Sequence, residues 1–457
     1  MLLAFAASPE DLEVLMVSAT YGNVELESCL RNVVSLFYHI EKEIEWRKTN
    51  GRKVGFETLL KTKPIVSVGP EHPLLDTKLM ADYFHGTDGL GGISDSHPHL
   101  SPADTWKELF DITKAPKDPE IDELRKELES PALFTPSQVP AHLEILRLLR
   151  ENEPNTITIV AVGPLTNLAI AAAEDPETFL RVKEVVVMGG NIYEVGNVRS
   201  PFLCPRSTLD IPEPRFRLIK HAPGLIHTAL TLRNQVTPVA EFNTFADTVA
   251  AARVYALTSP SPHSTMPPVP PTPAGQKADQ APPPYLQAYP AKLSKQLNVT
   301  LFPLDITQQH EISRGEFQSF TAPLISAGSP LAEWVSAWLN STFRKVESLQ
   351  DDVSGDAVGL HLHDPMTIWY CITQLDPKWE LVRNEDIRVE TSGQWTRGMC
   401  VIDRRSRRKR EVDLEEEISS DHGAWLSAKA GNRLSRCVGS PGTGIFGTYL
   451  LEKIFAS

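Results

Sequence analysis

The stretch His361–Pro365, HLHDP, packs titratable groups most densely at a place where a helix should begin. Asp364 followed by Pro365 reads as a helix start, with the carboxylate at the N-cap and proline at the first helical position; the apolar MTIWYCI behind it reads as a buried helix. On structural grounds alone Asp364 is a cap. A cap residue after a strand also sits on the ligand-binding edge of a parallel sheet. There a second carboxylate oxygen is available to a hard cation, and the neighbouring His363 could donate a proton.

Other stretches carry weaker signals. Asn197 in VGNV, and Glu241 and Asn243 in the stretch 237–247, TPVAEFNTFAD, offer the mixed donors and acceptors that a sugar polyol needs. Ordinary turn and cap chemistry is the plainer reading of the same residues. HGTDGLGG, at His85–Gly92, reads as a flexible glycine loop with one titratable histidine. GSPGTGIFG, at Gly439–Gly447, resembles a phosphate loop only superficially: no Lys-Ser/Thr follows and no preceding strand is evident, so it reads as a turn before a terminal helix.

Positioning these groups requires a scaffold, and the chain has a βαβ rhythm. Residues 2–7 read as the end of an apolar helix, 12–20 as a buried strand and 24–48 as an amphipathic helix with Leu30, Val33, Val34 and Phe37 on its apolar side. The rhythm continues with strand 157–162, helix 165–174 and strand 185–188. The expected fold is α/β, one domain over residues 1–457, with a mostly parallel, Rossmann-like sheet flanked by helices. Ligands of such sheets bind beyond the carboxyl ends of the strands, so the loops TYGN, GPLTN and MGGN are where chemistry is expected.

Three segments break the rhythm. Residues 258–294 are dense in proline, including Pro267, Pro268, Pro270, Pro271 and Pro282–Pro284, and read as an extended surface loop. Residues 404–423 run from basic to acidic and read as a solvated hairpin loop. Residues 198–235 have mixed charge, repeated proline and no sustained period, and read as an insertion.

Removing that insertion joins Asn197 to Val236 and restores GNVTPVAEFN. Its 38 residues correspond to an in-frame length, Val198 must begin with GT, and Gln235 can end in AG. A translated intron is therefore the expectation, and the segment is expected to push Asn197 and Glu241 apart.

Composition excludes several classes. The net charge of −13 offers no large positive surface to a phosphate backbone, so no nucleic-acid partner is expected. No apolar run approaches bilayer length, so no membrane association is expected. Cys29, Cys204, Cys371, Cys400 and Cys437 form no CxxC pair, which argues against a zinc site or a disulfide framework and favours a reducing, cytoplasmic setting. MLLAFAASP lacks a basic n-region and is not expected to be a signal peptide. A dehydrogenase is disfavoured, since no strand leads into GxGxxG.

In sum and in order, YGNV, HGTDGLGG, VGPLTNLA, VVVMGG, GNV, TPVAEFN and HLHDP resemble the inosine-uridine-preferring nucleoside hydrolase family, in a fungal-looking version, over about residues 1–403. The resemblance implies an N-glycosidase that splits a ribonucleoside into free base and ribose, using a water held on Ca²⁺. It implies Asp364 and the carbonyl of Val162 as calcium ligands. Asn23, Asn197, Glu241 and Asn243 become ribose-binding residues, with Met188 packed near the sugar. His363 becomes the candidate acid for the leaving base, and His85 belongs to a mobile loop over it. Homodimers or homotetramers are also implied.

Members of the family carry a strand ending in DxDxxxDD that supplies two more calcium ligands and the general base. Residues 1–457 contain no such motif. The expectation is a nucleoside hydrolase fold lacking its first strand, with unpaired edges on the neighbouring strands and impaired activity. The alternative function is a non-catalytic nucleoside or ribose binder.

Overall fold

A computed structural model describes residues 1–79, 84–102, 104–110, 133–197, 239–268, 283–350, 353–405, 407–411 and 420–455. Its strands are β1 (Met16–Ala19), β2 (Ile65–Val68), β3 (Thr135–Pro136), β4 (Thr158–Ala161), β5 (Glu184–Met188) and β6 (Val299–Phe302). They continue with β7 (Glu311–Ser313), β8 (Gly359–His361), β9 (Glu380–Glu385), β10 (Arg388–Val389), β11 (Cys400–Val401) and β12 (Leu434–Gly439).

The main sheet has the order β4-β5-β6-β12-β9, parallel except for the antiparallel edge strand β9. Its centre is buried on both faces, and alternation along the strands divides the core in two. Val186 and Phe302 join one core with helices Leu26–Thr49, Pro330–Glu347, His363–Thr373 and Phe446–Phe455. Val185, Val187, Val299 and Leu301 join the other, with helices Ala141–Glu151, Thr166–Glu174 and Thr248–Ala256. Helix Leu26–Thr49 shows why the sequence adopts this layer. Leu30, Val33, Val34, Phe37, Ile40 and Ile44 fall on its buried side, while Glu27 in its first turn and Arg47 and Lys48 in its last complement the helix dipole.

The sheet is interrupted where the resemblance places its missing strand. β1, β2 and β3 form a separate parallel sheet, and no strand lies between β1 and β4 among the described residues. The open edges of β1 and β4 both face a cavity of about 2080 Å³. Both strands are mostly only half-buried, whereas β5 is buried throughout. A side-chain tie spans the gap: Asn167 Nδ2 donates to Ser18 Oγ at 2.7 Å and to the Ala19 carbonyl at 3.2 Å.

Several expectations need correction. Helix His363–Thr373 starts at His363, and its N-cap is Leu362 without a side-chain cap, so Asp364 lies inside the first turn and does not cap it. β12 ends at Gly439, so a strand does precede GSPGTGIFG; the helix Phe446–Phe455 then follows as expected. The insertion 198–235, the centre of the proline-rich segment and most of the acidic half of 404–423 lie outside the described residues. No helix among the described residues is long and apolar enough to cross a membrane.

Candidate active site

The Asp364 carboxylate accepts no hydrogen bond among the described residues, although it occupies a helix first turn; only its backbone carbonyl accepts, from Thr367 Oγ1 at 2.7 Å. Its side chain borders the cavity, reached by solvent yet surrounded by protein. That enclosure pushes its carboxyl up to about 6, opposed by the nearby Met1 ammonium and reinforced by Glu241. A carboxylate left unbonded in a cleft has no structural task that explains it.

His363, one residue earlier, makes one side-chain hydrogen bond, between Nδ1 and Thr307 Oγ1 at 2.7 Å. Burial, and then the neighbouring His361 and His85, lower its pKa to about 3, so the imidazole is neutral around pH 7. The His361 ring centroid lies 5.6 Å away. The structure therefore brings His85, distant in the sequence, to the adjacent pair His363 and Asp364.

The sugar-type residues surround the same cavity but have structural work as well. Glu241 caps helix Phe242–Ala246, accepting from the amides of Asn243 at 2.8 Å and Thr244 at 2.9 Å, and from the Gly190 amide at 2.8 Å. Burial nevertheless raises its pKa, with these donors opposing the shift. Asn243 Nδ2 donates to the Met188 carbonyl at 3.1 Å and reaches Met188 Sδ at 3.4 Å. Asn197 Oδ1 accepts from the Phe242 amide at 2.7 Å. Asn197 and the Glu241 segment are thus held together, not pushed apart by the insertion between them. Asn23 and Val162 line the cavity from the loops after β1 and β4.

The His85 loop is wound around one carboxylate. Asp88 accepts from the amides of Leu90, Gly92 and Ser94 at 2.7–2.9 Å, and Ser341 Oγ donates to the Gly91 carbonyl at 2.9 Å. Gly86, Gly89, Gly91 and Gly92 all have positive φ, the conformation that brings these amides round to Asp88. The loop expected to be flexible is anchored across residues 88–94.

Sequence reading missed two parts of the site. Thr307 follows β6 in PLDIT, a strand-end loop of the type already singled out elsewhere. Behind TYGN and GPLTN, Tyr21 Oη lies 3.3 Å from Thr166 Oγ1, which donates at 2.7 Å to Asp247. Asp247 also accepts the Leu74 and Ala250 amides, so it joins three loops and caps helix Thr248–Ala256.

Calcium takes six to eight oxygens, usually from several carboxylates. Of the ligands that the resemblance implies, residues 1–457 supply Asp364 and the carbonyl of Val162, and no group of three or more His, Cys, Asp or Glu that could hold a metal is found among the described residues. This donor set does not fit Ca²⁺ by itself.

A model of the inosine-uridine preferring nucleoside hydrolase family matches residues 1–421. The pyrimidine-specific ribonucleoside hydrolase RihA of Salmonella newport (strain SL254) is 25% identical over 399 residues, covering 87% of this chain and 82% of that protein. An uncharacterized protein of Schizosaccharomyces pombe has the same identity and coverage. Among solved structures, a plant nucleoside hydrolase aligns with a TM-score of 0.56 at 18% identity, over 100% of this chain and 94% of its own. A purine-preferring ribonucleoside hydrolase from Gardnerella vaginalis aligns with a TM-score of 0.56 at 15% identity, over 99% and 92%.

Proposed function

From the premise that this chain belongs to the inosine-uridine preferring nucleoside hydrolase family, we propose that its cavity is a ribonucleoside-hydrolysing site that residues 1–457 build incompletely. The supporting observation is Asp364, an unbonded carboxylate beside a neutral histidine at the strand-end face of the sheet. In the reaction the C1′–N bond breaks with its electron pair going to the base. Water supplies hydroxyl to C1′ and a proton to the base, giving ribose and free base.

In this reading His363 takes up a proton for the step, gives it to the departing base from Nε2 and is left neutral, and His85 closes the same region from its loop. Asn23, Asn197, Glu241 and Asn243 orient the ribose, and Met188 packs beneath it. Calcium and its water require the carboxylates of a DxDxxxDD strand, seated between β1 and β4, in addition to Asp364 and Val162. No step is assigned to the metal with the residues at hand. Cytoplasmic nucleoside salvage, as a homodimer or homotetramer, completes the proposal.

One observation favours a second reading, a non-catalytic nucleoside or ribose binder: no group of three or more His, Cys, Asp or Glu that could hold a metal occurs among the described residues. Calorimetry with inosine, uridine and ribose, with and without calcium, separates the two. Metal-independent binding without ribose release, even after a DxDxxxDD strand is supplied, would establish the binder and refute the hydrolase.

A further inference from the structure

Thr307 is fully buried at the end of the short helix Leu304–Thr307, directly after β6. Threonines within helices commonly satisfy their hydroxyl on the carbonyl four residues back. Thr321 and Thr342 do so here, donating to Phe317 at 2.9 Å and Trp338 at 3.2 Å. Thr307 instead directs Oγ1 to His363 Nδ1 at 2.7 Å. Nε2 of the same ring has no partner among the described residues and is not sealed from solvent, so it opens on the cavity that His363 lines.

The backbone around both residues is fixed. Leu304 N donates to the Gly190 carbonyl at 3.0 Å, His310 N donates to the Thr307 carbonyl at 3.2 Å, and Leu362 N donates to the His310 carbonyl at 2.8 Å. Asp305 accepts the amides of Ile192 and Tyr193 at 2.8 and 2.7 Å. The short helix is therefore pinned to the loop after Met188 on one side and to the entry of the His363 helix on the other.

We infer that Thr307 is a positioning residue, whose hydroxyl holds the His363 imidazole with Nδ1 turned inward and Nε2 presented to the leaving base. A hydroxyl suits this task because it can either donate or accept. It accepts from Nδ1–H of the imidazolium, and still does so from the neutral ring left once Nε2 has given its proton to the base; by rotating it can donate to Nδ1 of the other tautomer. A carboxylate in its place would favour only the charged ring. The inference rests on the reading of His363 as the acid for the leaving base, and it adds the group that holds the ring in the orientation this role needs.

Side-chain ¹⁵N NMR of the 457-residue chain tests the positioning without requiring turnover. The native chain and Thr307→Ser should show His363 in one predominant tautomer with Nδ1 hydrogen-bonded. Thr307→Val should show a tautomer mixture, and Thr307→Ala gives the same reading if the valine variant fails to fold. An unchanged single tautomer in the variant without the hydroxyl overturns the inference.

A chain carrying a DxDxxxDD strand ahead of Met1 supplies the kinetic arm. Thr307→Val should lower kcat on inosine by roughly 10–100-fold, within the range of lost acid catalysis, with KM changed less than about twofold and serine restoring most of the rate. A riboside whose leaving group departs as a stable anion should lose less than about threefold. Equal losses on the two substrates would overturn the positioning role. Full activity of His363→Ala on inosine, with the tautomer effect intact, would instead sink the acid reading on which the inference rests.

Discussion

The backbone amide of Phe242 donates to Asn197 Oδ1 at 2.7 Å, across 45 positions of sequence, and the Asn197 amide donates to the Ala240 carbonyl at 3.1 Å. Gly196 lies so close to Ala240 that any added Cβ would meet its backbone within 2.2 Å. The two ends of the 198–235 segment are therefore clasped on its domain side, by bonds that do not involve the segment. Removing Val198–Gln235 should leave the cavity intact and lower the loop-closure cost by on the order of 2 kcal/mol. The shortened chain should melt at the same temperature or higher. A lower melting temperature would show that the segment packs on the domain. Sequencing cDNA across codons 190–245 tests the intron reading separately; transcripts that always retain the 38 codons would make the segment a genuine insertion.

Asp364 should cost the chain stability at neutral pH. Its folded pKa of about 6 lies above the ordinary value of 3.8, because enclosure disfavours the charged form. The folded state thus binds more protons than the unfolded state between those values. Stability falls as pH rises through that window, and the full penalty applies above it. Water in the cavity screens the carboxylate, so the penalty is about 1 kcal/mol, well below what the shift alone would suggest. Asp364→Asn should raise the melting temperature at pH 7.5 and give no gain near pH 3.5. A variant less stable at pH 7.5 would show that the carboxylate has a structural partner.

The parts of the site that were legible in the sequence lie on parallel strands buried on both faces. β4 and β5 are short apolar runs that end in Gly or Pro, so GPLTN and MGG mark their ligand-binding ends directly. β9 and β12 were not legible. β9, ELVRNE, is an exposed edge strand, and β12 carries Arg436, which reads as a surface residue until Glu385 is found across the ladder at 2.6 Å. Asp364-Pro365 misled for a local reason: the pair has the composition of a cap, but the helix begins two residues earlier. Thr307 carried no signal of its own, because its role depends on a histidine that only the fold brings near.

Glu43 and Arg47 form a fully buried ion pair at 2.8 Å. Glu43 also accepts Ser329 Oγ at 2.7 Å and Leu331 N at 3.3 Å, while Arg47 donates to the carbonyls of Val54 and Ile454. The pair therefore ties helix Leu26–Thr49 to Pro330–Glu347 and to the C-terminal helix, behind the cavity wall. Removing one partner leaves the other charged and buried, so Glu43→Ala should lower unfolding stability by about 3–5 kcal/mol in urea titrations. A loss below about 1 kcal/mol would mean that water reaches Arg47.

Activity should depend on the gap between β1 and β4. The facing edges of these strands have no backbone partners among the described residues; at their carboxyl ends the Thr20 methyl lies 3.7 Å from a Cβ built on Gly163, so a strand seated between them must first part these ends. A parallel strand seated there would end beside Val162 and Asp364, where its aspartates could share a cation with them. The 457-residue chain should therefore bind calcium weakly and release negligible ribose from inosine or uridine. With a strand ending in DxDxxxDD placed ahead of Met1, calcium binding and turnover should both appear, and Asp364→Ala should weaken calcium affinity. Loss of a general base alone commonly removes about 10²–10⁴ in rate, and a missing metal site adds to that. Equal ribose release by the two chains would show that residues 1–457 already hold a complete catalytic set, and the dependence on a seated strand would be wrong.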